Sequence, residues 1–135
     1  MQARWNREIT VALATGAEGA ARAAGCTVER FTVSGAFELP AAARALAETT
    51  RFDAVIPVGC LIRGETPHFQ VLADAVAGGL MTLSLTMPCA IALGVLTCDT
   101  PAQAAARAGG AHGNAGAEAV HAALSVVALR RSESR

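Results

Sequence analysis

The chain has 135 residues, a formal net charge of zero and only 16% charged residues, against 53% hydrophobic ones. That length suits one domain, residues 1–135, able to bury roughly two thirds of its unfolded surface. A neutral chain lacks the basic face that nucleic acid needs, and so apolar a small chain implies surface covered in a homo-oligomer. All eleven basic residues are Arg, which excludes chemistry that needs a protein amine, such as a Lys Schiff base.

Gly, Thr, Pro or charge interrupts the apolar runs short of the ~20 residues a bilayer span requires, and no charged and then apolar leader opens the chain. No membrane partner is therefore expected. Cys26, Cys60, Cys89 and Cys98 show no C-x-x-C spacing and lie in or beside apolar segments. They read as buried thiols of a cytoplasmic protein, with neither a disulfide frame nor a zinc site.

In chain order, Met1 to Trp5 is too short for an ordinary strand, and Asn6 looks like a helix cap. Ile9, Leu13, Ala17 and Ala20 follow at helical spacing up to Gly25, a C′ glycine. Gly16 and Gly19 weaken that helix by up to ~1 kcal/mol each but permit close packing. Thr27 to Val33 reads as a strand. Ser34 to Glu38 turns out of it, and Pro40 suits the first turn of an Ala-rich helix to about Thr49.

Ala54 to Leu61 is a continuous apolar run, as in a strand covered on both faces. Gly59 to Gln70 then leads into a helix predicted from Pro67 to about Leu85, with Thr66 as N-cap and Pro67 at the first helical position. Pro88 to Leu96 makes another buried strand. Thr100-Pro101-Ala102-Gln103 is a capping box that starts a helix closing at Gly109-Gly110. A last helix runs from about Asn114 to Arg130, followed by a polar tail.

Strands alternate with helices, so the sheet should be parallel and covered on both faces. In such an α/β sheet, ligands bind beyond the carboxyl ends of the strands. The unpartnered N–H groups at the start of the Pro67 helix form a place for an anion, with Arg63 and His68 beside it. A neutral imidazole at that position can move protons at physiological pH; an ordinary surface His is the competing reading. Trp5 can stack on a flat heterocycle or fill the core. Arg107 can hold a phosphate as a bidentate donor or complement its own helix dipole. Glu38 and Glu118, each near a helix start, are dipole partners or ligand contacts. His112 and His121 lack partners at metal-ligand spacing and are surface residues.

Together, Gly35-Ala36-Phe37-Glu38-Leu39-Pro40, the Gly59 to Phe69 stretch, Gly94-Val95-Leu96-Thr97 with Asp99-Thr100, and Arg107-Ala108-Gly109 followed by Gly113-Asn114 resemble lumazine synthases. Each segment alone is weak, but the ordered set is specific and spans nearly the whole chain. The resemblance implies a three-layer α/β/α, flavodoxin-like fold with a parallel sheet of about four strands. It implies a transferase of riboflavin biosynthesis that condenses 5-amino-6-(ribitylamino)uracil with 3,4-dihydroxy-2-butanone 4-phosphate, giving 6,7-dimethyl-8-ribityllumazine, phosphate and water. The substrate supplies the imine-forming amine, in agreement with a chain that has no Lys. No metal or organic cofactor is implied.

By the same resemblance, His68 is the proton-transfer residue, and Glu65, Thr66 and Arg107 hold the butanone phosphate. Trp5 stacks on the pyrimidine, while Ala36, Phe37, Glu38, Cys60, Leu61 and Ile62 line the uracil and ribityl pocket, with Glu118 a possible accessory. Leu93 and Arg107 reach the site from a neighbouring subunit, so the resemblance also implies a pentamer or a pentamer-based icosahedral shell.

Two departures stand out. Ala115 occupies a position where many family members have a Lys beside the phosphate, a loss of about a kcal/mol or more. Only four residues precede Trp5, where the family has a complete central strand. A truncated first strand is expected to expose both neighbouring ladders unless another segment fills the slot. The alternatives are a non-catalytic or weakly active shell-forming or ligand-binding relative and, more distantly, a generic flavodoxin-like phosphate binder.

Overall fold

The computed structural model describes residues 1–133. In chain order its elements are β1 (Gln2–Ala3), α1 (Arg7–Ala23), β2 (Thr32–Val33), a 3-10 turn (Ala36–Glu38), α2 (Leu39–Glu48), β3 (Ala54–Val55) and β4 (Val58–Ile62). They continue with α3 (His68–Thr86), β5 (Ala90–Ile91), β6 (Gly94–Cys98), α4 (Pro101–Arg107), β7 (Ala108–Gly110), β8 (Gly113–Asn114) and α5 (Ala115–Glu133).

Four parallel strands run in the order β2-β1-β4-β6. Strands β3 and β5 pair in the same register as β4 and β6, Ala54 facing Ala90 and Val58 facing Gly94. The expected run from Ala54 is thus one buried strand interrupted at Pro57, which has no N–H for the ladder. Side chains alternate across the sheet. Ala3, Val55, Leu61 and Val95 pack with Leu39, Ala43, Val76 and Leu80 of α2 and α3. Val58, Cys60, Leu96 and Cys98 pack with Leu13, Ala14, Ala104 and Ala115 of α1, α4 and α5 on the other face. The three-layer α/β/α arrangement read from the sequence is present.

The first strand is as short as expected, yet it still fills its slot. Short as it is, β1 occupies the centre of the sheet, and no other segment takes its place. Gln2 N–H donates to Phe31 O at 2.8 Å and Arg4 N–H to Val33 O at 3.0 Å, while on the other side Val58 N–H donates to Met1 O at 2.8 Å. The Gln2 side chain, buried beneath the sheet, donates to Thr10 Oγ1 at 3.3 Å. The strand expected over 27–33 is realised only at Thr32–Val33. Its ladder with β1 begins at Gln2 opposite Thr32, and a strand exists only where it is paired.

Helix α1 ends as its sequence dictates. Gly25 has φ +78°, its N–H donates to Arg22 O at 2.9 Å, and Cys26 N–H donates to Ala21 O at 3.0 Å, the paired bonds of a Schellman motif. Of its two interior glycines only Gly16 serves close packing, against Asn114; Gly19 has no heavy atom within 4 Å of where a Cβ would lie. Helix α3 is the one described helix long and apolar enough to cross a bilayer by length and composition alone, a test that the core helix of a soluble protein also passes. Here one stripe, Phe69, Ala73, Val76, Leu80 and Leu83, is buried on the sheet, while Val71, Met81 and Leu85 stay exposed. Helix α5 continues past the expected Arg130 to Glu133, and the rest of the polar tail, 134–135, lies outside the described residues.

Candidate active site at the carboxyl ends of β1, β2 and β4

A cleft of about 670 Å3 opens where these strands end. Trp5 and Asn6 enter it from the end of β1, Ser34 and Gly35 from β2, and Ala36, Phe37 and Glu38 from the 3-10 turn. Cys60, Leu61 and Ile62 form the floor from β4. Gly64 and Thr66 come from the following turn, and His68, Phe69 and Leu72 from the first turns of α3. Its size and largely apolar lining suit a flat, polar-edged small molecule.

Trp5 does not pack in the core. It is 74% exposed at the mouth, and Phe37, 62% exposed, is the second aromatic there. Asn6 is the N-cap of α1 as expected, with φ 54° and its carbonyl accepting from Thr10 N–H at 3.0 Å, but its side chain makes no capping hydrogen bond. Its side-chain amide instead donates to Cys60 O at 2.8 Å, which ties the end of β1 to β4 and fixes the chain direction after Trp5. Sequence reading had no signal for that contact, because the two residues are 54 positions apart. Glu38 acts as the turn's own anion, one carboxylate oxygen accepting from Gly35 N–H at 2.9 Å.

Helix α3 begins one residue later than the Pro-at-N1 pattern predicts. Pro67 is the N-cap, its carbonyl accepting from Val71 N–H at 3.2 Å, and His68 is the first helical residue. Thr66 therefore does not cap the helix; its hydroxyl accepts from His68 N–H at 3.4 Å. His68 is exposed on the cleft wall. Cys60 is buried in the floor, and that burial, aided by the neighbouring Cys98 thiol, pushes its pKa up to about 11. It stays a neutral thiol at physiological pH and offers no nucleophile.

The cleft contains no Arg among its lining residues. Arg63, expected beside the anion place, turns away: its Nε donates to Asp99 Oδ1 at 2.6 Å and its guanidinium lies 4.7 Å from the centre of the Phe69 ring. Glu65 is exposed on the turn but does not line the cleft.

Arg107 and Leu93 also lie outside it. Arg107 ends α4, where Nη1 and Nη2 donate to the two oxygens of Glu118 at 2.8 and 2.7 Å, and Nη1 also donates to His112 O. The hydrogen bonds from Arg107 hold the Glu118 carboxyl below its ordinary pKa. These contacts lie around the β7–β8 hairpin, which replaces the open loop expected after Gly109. Leu93, 57% exposed, lines instead a 390 Å3 cleft beside Arg63 and a 310 Å3 apolar groove between α3 and α5. Ala115, where a Lys was anticipated in the family, is buried against Leu13 and Val58.

The gathered residues are thus an aromatic mouth, an imidazole at a helix start and an uncharged floor. The family model for 6,7-dimethyl-8-ribityllumazine synthase matches residues 1–131. A 6,7-dimethyl-8-ribityllumazine synthase of Gemmatimonas aurantiaca is 46% identical over 129 residues, 93% of this chain and 79% of the relative. One from Thermus thermophilus is 46% identical over 135 residues, 98% of this chain and 86% of the relative. One from an Anaeromyxobacter species is 41% identical over 136 aligned positions, 98% and 83% respectively. With a match across nearly its whole described length and relatives far above 30% identity, the chain belongs to the 6,7-dimethyl-8-ribityllumazine synthase family.

Proposed function

We propose that the Trp5–His68 cleft is where this enzyme works. As a lumazine synthase the chain is a transferase of riboflavin biosynthesis, condensing 5-amino-6-(ribitylamino)uracil with 3,4-dihydroxy-2-butanone 4-phosphate. The observation that carries the site assignment is convergence: Trp5, Ala36 to Glu38, Cys60 to Ile62, Thr66 and His68, scattered over more than sixty residues of sequence, line one cleft.

In this reading the pyrimidine stacks at Trp5 and the ribityl chain lies along Ala36 to Glu38 and the ends of β4. His68 moves protons as the substrate's amine attacks the ketone, as the resulting carbinolamine loses water to form the imine, and as phosphate is then eliminated. No protein amine or thiolate is asked to act. The phosphate sits at the first amides of α3, with the Thr66 hydroxyl beside it.

The phosphate dianion also needs a cation that the cleft of one chain does not supply. We assign that role to Arg107 of a neighbouring copy, with Leu93 of the same copy closing the pocket. Several features support an oligomer. Strand β6 is an open edge of the sheet, and Val71, Met81, Leu85, Leu93, Val126 and Leu129 are exposed large apolar residues. A pentamer, alone or in a shell, is the assembly the resemblance implies. In it a phosphate would share or displace the Glu118 carboxylate on the Arg107 fork, which makes Glu118 an accessory of the site. The free thiols suit a reducing, cytoplasmic setting.

Purified protein mixed with both substrates should form the green-fluorescent lumazine faster than the uncatalysed reaction. Equal rates with and without protein would favour a non-catalytic, shell-forming relative.

A further inference from the structure

Residue Arg63 stands at the hinge between β4 and the turn that carries His68. Its backbone N–H donates to Cys98 O at 2.8 Å, extending the ladder between β4 and β6 by one residue. Its Nε donates to Asp99 at 2.6 Å, and the same guanidinium covers the Phe69 ring at 4.7 Å. Asp99 is itself held, since its N–H donates to Gln103 Oε1 at 2.8 Å within the capping box of α4.

The turn between Arg63 and Phe69 has little holding it from within. Among the described residues its own bonds are the long contact from His68 N–H to Thr66 Oγ1 and the first helical bond to Pro67 O. Gly64 adds no side chain, and Glu65, Thr66, Pro67 and His68 are all exposed. One side chain therefore bridges the ends of this turn, anchored on Asp99 just past β6 at one end and resting on the ring next to His68 at the other. Phe69 is buried and forms part of the wall of both the 670 Å3 cleft and the 390 Å3 cleft that contains Arg63. Its ring thus passes the position of Arg63 to the catalytic side.

We propose that Arg63, clamped to Asp99 and stacked on Phe69, is a positioning residue that sets the first turn of α3 and thereby the imidazole of His68. The proposal rests on His68 being the proton-moving residue. An exposed ion pair contributes little to stability by itself. Its effect here is geometric, because a displaced acid or base loses rate out of proportion to the energy of the contact that held it.

The test is steady-state kinetics of the intact oligomer with Arg63→Met, Asp99→Asn, His68→Ala and the Arg63→Met/His68→Ala double variant. Arg63→Met should lower kcat about fivefold while leaving the KM for the uracil substrate within about twofold. Asp99→Asn should lower kcat in the same sense by less. Arg63→Lys, which keeps the charge opposite Asp99, should recover part of the loss. In the His68→Ala background Arg63→Met should have no further effect on kcat, because the residue acts through the imidazole.

A kcat for Arg63→Met equal to wild type, with His68→Ala impaired, overturns the positioning role and leaves the His68 assignment standing. Equal, additive losses with and without His68 also overturn it, since they mark a merely structural contact. If His68→Ala matches wild type, the base assignment itself falls. Should Arg63→Met not fold, Asp99→Asn with and without His68 carries the same comparison.

Discussion

Replacing Gly116 with Ala tests how α5, and with it Glu118, is seated. A Cβ at Gly116 would lie 2.1 Å from Leu13 O and 2.9 Å from Leu13 C, both backbone atoms of α1, and 3.0 Å from Asn114 Oδ1. A helix backbone cannot rotate out of the way as a side chain can, so α1 and α5 must separate by about 1 Å to restore van der Waals contact. Separation loosens Leu13 and Ala14, which are 0% and 5% exposed, and Ala115 beneath them. Overpacking of this kind costs ~1–3 kcal/mol, offset by up to ~1 kcal/mol of better helix propensity for Ala than Gly. A net loss of about 2 kcal/mol corresponds to a fall in Tm of roughly 6–10 °C for a domain of this size. Thermal unfolding followed by circular dichroism, at one fixed protein concentration, reads it. Gly19→Ala in α1, where no heavy atom lies within 4 Å, is the control and should raise Tm by a few degrees, about 1 kcal/mol or less. A Gly116→Ala protein as stable as wild type, or a Gly19→Ala protein that loses as much, would refute the reasoning.

Other expectations follow from the same geometry. Arg107→Ala should raise the KM for the phosphorylated substrate at least about tenfold and that for the uracil far less; equal effects on both would contradict a phosphate role. Thr100→Ala removes the hydroxyl that accepts from Gln103 N–H at 3.2 Å and should cost about 1 kcal/mol in chemical denaturation, with no change in Cm counting against the cap. Trp5, the only Trp, is exposed at the cleft mouth, so the lumazine product should quench its fluorescence saturably. With a pKa pushed up to about 11, Cys60 should resist alkylation at pH 8. Because the folded state holds that proton more tightly than the unfolded chain, Cys60 should contribute falling stability only as pH rises from about 9 toward 11. Rapid labelling of native Cys60 at pH 8 would show that the floor is open to water.

The elements legible in the sequence were those with a local cause. Gly25 at positive φ, the Thr100–Gln103 capping box and the apolar run to Leu61 each decide their structure within a few residues, and all three are present. What was missed depends on partners remote in sequence. The strand expected over 27–33 is short because its ladder with β1 begins only at Thr32. Asn6 holds the N-cap position its composition suggests, yet its side-chain amide donates to Cys60 O across the sheet instead of capping the helix. Arg63 reads as a neighbour of the anion place at a helix start, but Asp99, 36 residues away, holds it. The cleft residues from Trp5 to His68 were legible through the family resemblance, since spacing alone left each with an ordinary structural reading. Arg107 and Leu93 are not brought to that cleft by the fold of one chain.

The most direct test of the central claim is the rate of lumazine formation by wild type and His68→Ala at saturating concentrations of both substrates. The account predicts that wild type exceeds the uncatalysed reaction and that His68→Ala lowers kcat by at least about tenfold, with the KM for the uracil little changed. A His68→Ala enzyme that turns over as fast as wild type would place the proton transfer elsewhere and contradict the assignment of this cleft.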